Sequence, residues 1–195
     1  MMRTPLRTRP GAERSHLDAG PSRGYPRDGM SVATKFHFEQ AYGADPAAVW
    51  AMLSDPAFIT AKCERTGSME TTGEVTPTDD GGTILTCTRV LPANLPSVAK
   101  PFVGDTLTVT EVQAWGPAAA DGSRTATTNV DFGAPMSFSA DMALTAAADG
   151  SSVTTDGEFK ASVPFVGGKI EKVASDETTR YLEKEQQVGQ EWLYD

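Results

Sequence analysis

The ending of this chain constrains its fold more than any other stretch. A Thr- and Val-rich run from Val153 to Val163 has the period of a strand and leads into Pro164-Phe165-Val166-Gly167-Gly168. One long amphipathic helix then continues to Trp192-Leu193. Between Ser68 and Val163 the patterned segments all have period two, so this helix alone is long enough to cover a sheet. Strands accompanied by one long helix cannot be linked through parallel crossovers, each of which needs a helix of its own. The expected class is therefore α+β, a seven-stranded antiparallel sheet wrapped around the C-terminal helix with a cavity between them.

The rest of the chain supplies the strands. Val32 to Gln40 alternates Val32, Thr34, Phe36 and Phe38 with Ala33, Lys35, His37 and Glu39, which predicts a half-buried strand. Two short helices follow, each opening on Asp-Pro, at Asp45-Pro46 and Asp55-Pro56. The aspartate caps exposed amides, and proline fits the first helical position, where no N–H is needed. Further strands are expected at Ser68–Thr76, Thr83–Leu91, Thr106–Trp115, Thr125–Phe132, Ser137–Ala146 and Val153–Val163. Turn signals separate them at Asp79-Asp80-Gly81-Gly82, Asp121-Gly122 and Asp149-Gly150. The connection Leu91–Gly104 is proline-rich yet apolar: either a lid over the cavity mouth or a segment packed back on the helix.

Charge is distributed unevenly. Residues 1–29 carry six Arg against three acids, whereas the remainder carries eleven basic and twenty-three acidic side chains. Nucleic acid and anionic lipid both require cationic surface, so the acidic body argues against either as partner. Residues 1–29 lack the apolar stretch of a secretory signal. They form either a disordered basic arm or sequence upstream of a true start at Met30, and residues 31–195 form the folded domain. No apolar run spans a bilayer, so stable membrane insertion is not expected. Cys63 and Cys87 fall on a predicted helix and a predicted strand, without a CxxC or the histidines of a metal set. Two reduced thiols in a cytoplasmic protein are expected, a disulfide between them being the alternative, with no metal and no cofactor.

The element order, the twin Asp-Pro helices and the Gly-Gly-then-helix junction together resemble the START-like (polyketide cyclase and lipid-transport, SRPBCC) superfamily and its helix-grip fold. Val163-Pro164-Phe165-Val166-Gly167-Gly168-Lys169-Ile170-Glu171, Gln113-Ala114-Trp115 and Glu191-Trp192-Leu193 resemble, more narrowly, the actinobacterial domain of unknown function 2505. The superfamily resemblance implies a hydrophobic cavity used for lipids, polyketides, hormones or protein partners; the narrower family carries no established activity. Fold analogy is a prior on function and not evidence for one.

On a helical wheel Ile170, Val173, Ala174, Tyr181, Val188 and Trp192 form one stripe, with Glu177 near its centre. Glu177 and Tyr181 are thus expected to give the cavity a polar floor; the alternative is a helix rolled so that Glu177 sits at the edge. The inward strand faces offer Phe36, Phe38, Leu107, Val109, Phe132, Phe138, Met142 and Phe159 as lining, or as ordinary core. Glu111 shares a face with Leu107, Val109 and Trp115 unless a bulge flips it. The strand acids Asp131, Asp141, Asp156 and Glu158 lie opposite the large apolar residues. Neither histidine is placed for hydrolysis, since His16 is in the N-terminal segment and His37 faces outward. No catalytic residue is assigned. The leading expectation is non-catalytic binding of a small hydrophobic or amphipathic molecule. The alternatives are a cyclase-, dehydratase- or isomerase-type enzyme and a protein-interaction module of unknown partner.

Overall fold

The computed structural model describes residues 33–92 and 104–194. Its elements are β1 (Thr34–Tyr42), α1 (Pro46–Leu53), α2 (Pro56–Arg65), β2 (Glu70–Pro77), β3 (Thr83–Pro92), β4 (Thr106–Trp115), β5 (Arg124–Asp131), β6 (Met136–Ala147), β7 (Gly150–Ala161) and α3 (Gly167–Tyr194). This is the expected α+β order. Residues 1–29 and most of the Leu91–Gly104 connection lie outside the described residues, and so does the question of a lid.

The strands form one antiparallel sheet in the order β1-β7-β6-β5-β4-β3-β2. Consecutive hairpins build it from β2 to β7, and β1 closes on β7 from Thr34↔Phe159 to Tyr42↔Ser151. Strands β1 and β2, neighbours in sequence, thus lie at opposite edges, and α1 and α2 bridge the gap. Both short helices start as the Asp-Pro pairs require. The Asp45 side chain accepts from the Ala48 amide at 2.9 Å, and Asp55 accepts from Ala57 at 2.8 Å.

One face of the sheet meets the helices. Its apolar residues fall into two large groups. One comprises Tyr42, Val49, Met52, Leu53, Phe58, Leu85, Trp115, Met142, Leu144, Val153 and Val188, and lies beneath α1 and the C-terminal half of α3. The other is built on Phe36, Val109, Val130, Phe138, Phe159 and Leu182. In that second group Phe36, Phe138 and Phe159 meet ring to ring at centroid distances of 4.4–5.7 Å. A small third group joins Ile59 and Cys63 of α2 to Cys87 of β3, and the two free thiols lie 3.2 Å apart.

Helix α3 is held by polar anchors as well as by packing. Glu171 is fully buried and accepts from the Thr34 amide (3.1 Å), the Thr34 hydroxyl (2.8 Å) and the Ala161 amide (2.8 Å). Further along, Gln186 accepts from the Ala41 amide, and Gln190 donates to the Ala41 carbonyl. Gly189 sits where a Cβ would come within 2.7 Å of the Tyr42 ring, so a side chain there would push the helix off β1. No helix among the described residues is long and apolar enough to cross a membrane.

Candidate functional site

Between the two apolar groups the inner face of the sheet carries a belt of polar residues. Strand alternation puts it there. Odd-numbered positions of β3 and β4 point inward, and register sets Cys87 against Glu111, Arg89 against Val109, and Leu85 against Gln113. On β5, Val130 is opposite Glu111 and Thr128 opposite Gln113. From the helical side Lys62 of α2 and Tyr181 and Glu185 of α3 reach the same belt. There is no bulge after Glu111, which keeps the inward face it shares with Val109 and Trp115.

The belt holds three separate sets of contacts. Lys62 Nζ lies 3.1 Å from Glu185 Oε2, and both side chains are buried. Gln113 donates through Nε2 to Glu111 Oε1 at 2.5 Å and accepts at Oε1 from Trp115 Nε1 at 2.8 Å. The Arg89 guanidinium lies over the Tyr181 ring, 3.9 Å from its centroid. Several buried atoms of this interior have no hydrogen-bond partner: Arg89 Nε and Nη1, and the hydroxyl oxygens of Tyr181, Tyr42 and Thr128.

Burial and neighbouring charge act against each other on these groups. Burial disfavours the Lys62 ammonium, but Glu185, Tyr181 and Glu111 outweigh it and hold Lys62 well above the usual lysine range. Burial likewise opposes the Glu111 carboxylate; Lys62, Arg89 and the Gln113 hydrogen bond prevail and lower it. Tyr181 is pushed well above an ordinary phenol, chiefly by burial, so its hydroxyl keeps its proton.

The residues singled out from sequence separate cleanly. Phe36, Val109, Phe138 and Phe159 are buried in the second apolar group, and Phe38, Leu107, Phe132 and Tyr181 pack against it while only partly buried. Leu91 and Ala174 join this half-buried set. Met142 belongs to the other group, beside Leu144 and Trp115. Glu177 does not face the interior: it is exposed and pairs with Arg180 one turn along α3. The helix is rolled relative to the apolar wheel, because its inward line runs through Glu171, Leu182, Glu185 and Val188. Two carboxylates take that line since buried donors meet them there, a choice hydropathy cannot anticipate.

The sequence reading also missed Lys62, Arg89, Gln113 and Glu185. The available signal was a charged residue at an inward position of an otherwise apolar strand, as Arg89 is between Cys87 and Leu91. On the outer face, His37 lies 2.6 Å from Asp156, both exposed. That face bears an open concavity of about 810 Å³ lined by Lys35, His37, Asn129, Ser139, Asp141 and Glu158. Most of its lining residues are polar or charged, unlike the predominantly apolar lining typical of small-molecule pockets. Among the described residues no group of His, Cys, Asp and Glu is arranged to hold a metal.

An antiparallel sheet closed over one long C-terminal helix, with two short helices after the first strand, is a helix-grip fold. Solved structures share it. The protein TTHA0849 from Thermus thermophilus matches with a TM-score of 0.55 and 12% identity, over 83% of this chain and 97% of that one. A protein from Rhodobacter sphaeroides matches with a TM-score of 0.52 and 14% identity, over 83% and 92%. Norcoclaurine synthase from Thalictrum flavum matches with a TM-score of 0.51 and 16% identity, over 85% and 89%. At such identities the likeness is one of fold. No curated protein matches in sequence. Residues 37–193 match the family described as protein of unknown function (DUF2505), and the chain belongs to that family.

Proposed function

We propose that this protein binds a small amphipathic molecule between the sheet and α3 without transforming it. The observation carrying this reading is a coincidence on one inner face. Apolar side chains there are only half buried (Phe38, Leu91, Leu107 and Phe132), and beside them lie buried polar atoms without partners on Arg89, Tyr181 and Thr128. A core that merely stabilised the fold would bury the first set and pair the second. The apolar body of the ligand would lie among the phenylalanines, with its polar end on the belt. The cytoplasmic location expected from cysteine usage belongs to the same reading, since adjacent free thiols are the state a reducing compartment maintains.

Native mass spectrometry of the gently purified protein tests the reading. A non-covalent adduct is expected, and it should be lost in Leu107→Trp, which fills the half-buried lining, while the circular dichroism spectrum is retained. A wild-type protein with no adduct that also fails to take up anilinonaphthalenesulfonate would overturn it. The clustering of shifted ionisable groups (Lys62, Glu111 and Tyr181) favours a second reading, a cyclase-, dehydratase- or isomerase-type enzyme. It requires pH-dependent turnover that is lost in Glu111→Gln or Tyr181→Phe.

A further inference from the structure

We infer that the ligand is a hydrophobic carboxylic acid whose carboxylate is received by Arg89. The inference rests on the container reading and assigns its ligand class. Arg89 stands on the inward face of β3 between Cys87 and Leu91, opposite Val109, at the border of belt and apolar lining. It is 8% exposed, and two of its nitrogens, Nε and Nη1, are buried without an acceptor. Tyr181 covers one face of the guanidinium, which fixes the plane of the group and leaves its N–H edges as the remaining contact surface.

The carboxylates nearby have other hydrogen-bonded partners. Glu185 is held by Lys62 at 3.1 Å, and Glu111 accepts from Gln113 at 2.5 Å. Glu111 acts on Arg89 through its charge, yet neither Nε nor Nη1 of Arg89 finds an acceptor on it. A buried guanidinium with unmet donors is costly. A ligand carboxylate supplies the missing acceptors, and charge-assisted hydrogen bonds to arginine are about twice as strong as neutral ones. The unpartnered Tyr181 hydroxyl adds a donor from the helical side. A head group bearing only donors, such as an ammonium, would meet the wrong complement here. The half-buried Phe38, Leu91, Leu107 and Phe132 require the remainder of the molecule to be apolar.

Fluorescence titration of the full chain with pyrenebutanoate and with pyrenebutanol separates the claims. The acid should bind at least about tenfold more tightly than the alcohol. Arg89→Gln should remove that preference, bringing the acid's affinity down to that of the alcohol. In the wild type, the Arg89 Nε–H resonance should shift on adding the acid and not the alcohol, a readout independent of whether the variant folds. Equal affinities in the wild type, or a preference retained by Arg89→Gln, would overturn the assignment to Arg89 and leave the container reading standing. Binding of neither probe would overturn this assignment too, and the container reading falls with it only where the native adduct and dye uptake are also absent.

Discussion

Lys62 and Glu185 are each nearly inaccessible, and each is the other's ion-pair partner. Removing one charge leaves its partner buried and unpaired, which typically costs about 3–5 kcal/mol. Lys62→Met should therefore lower unfolding stability by about that amount. Lys62→Met combined with Glu185→Leu should recover most of the loss, because apolar replacements of buried pairs are often neutral. Chemical denaturation of Lys62→Met, Glu185→Leu and the double variant closes the cycle; a double variant as unstable as the singles would show that the pair does more than neutralise itself. Glu111 gives a pH signature. Its carboxyl titrates lower in the folded protein than the ordinary 4.5, so its charge stabilises the fold above that pH. This contribution is lost as pH falls through the folded value. Glu111→Gln should be less stable than wild type at neutral pH, and the gap should narrow on acidification below about pH 4.5. Melting temperatures measured across that range decide it, and a gap independent of pH would refute it.

At the scale of elements, α3 is positioned as much by hydrogen bonds as by apolar surface. Glu171 bonds to the start of one strand and the end of another at once, Thr34 on β1 and Ala161 on β7. Glu171→Gln keeps the shape but turns one accepting oxygen into a donor facing a donor. A loss of about 2–3 kcal/mol is expected, with faster hydrogen exchange at the Thr34 and Ala161 amides. Unchanged exchange there would mean the helix is seated by packing alone. The same helix shows where sequence stops being legible. Strand boundaries, the Asp-Pro caps and the antiparallel class follow from local periodicity and turn chemistry, and the described elements agree within a few residues. The roll of α3 does not, because Glu171 and Glu185 read as outward residues until their donors on β1, β7 and α2 are known. Glu177 reads as inward for the same reason. The strand residues of the expected lining, from Phe36 and Phe38 to Phe138 and Phe159, do converge, since period two in a strand fixes which side chains share a face.

For the whole molecule, the order of strands places the first strand beside the last and leaves β1 and β2 as the two borders of the sheet. A sheet border carries unpaired amides and carbonyls and can recruit strands from other copies, a route to aggregation. Here the border at β1 is occupied from within. Gln186 and Gln190 of α3 take the Ala41 amide and carbonyl, and Tyr194 donates to the Gly43 carbonyl. The helix thus stands in for part of a neighbouring strand. The border at β2 carries the exposed carboxylates of Glu70 and Glu74 and ends at Pro77, which has no amide to offer. A second copy approaching either side meets side-chain amides already engaged or charge it must desolvate. The arrangement that closes the interior also keeps the sheet from growing outward into fibrils.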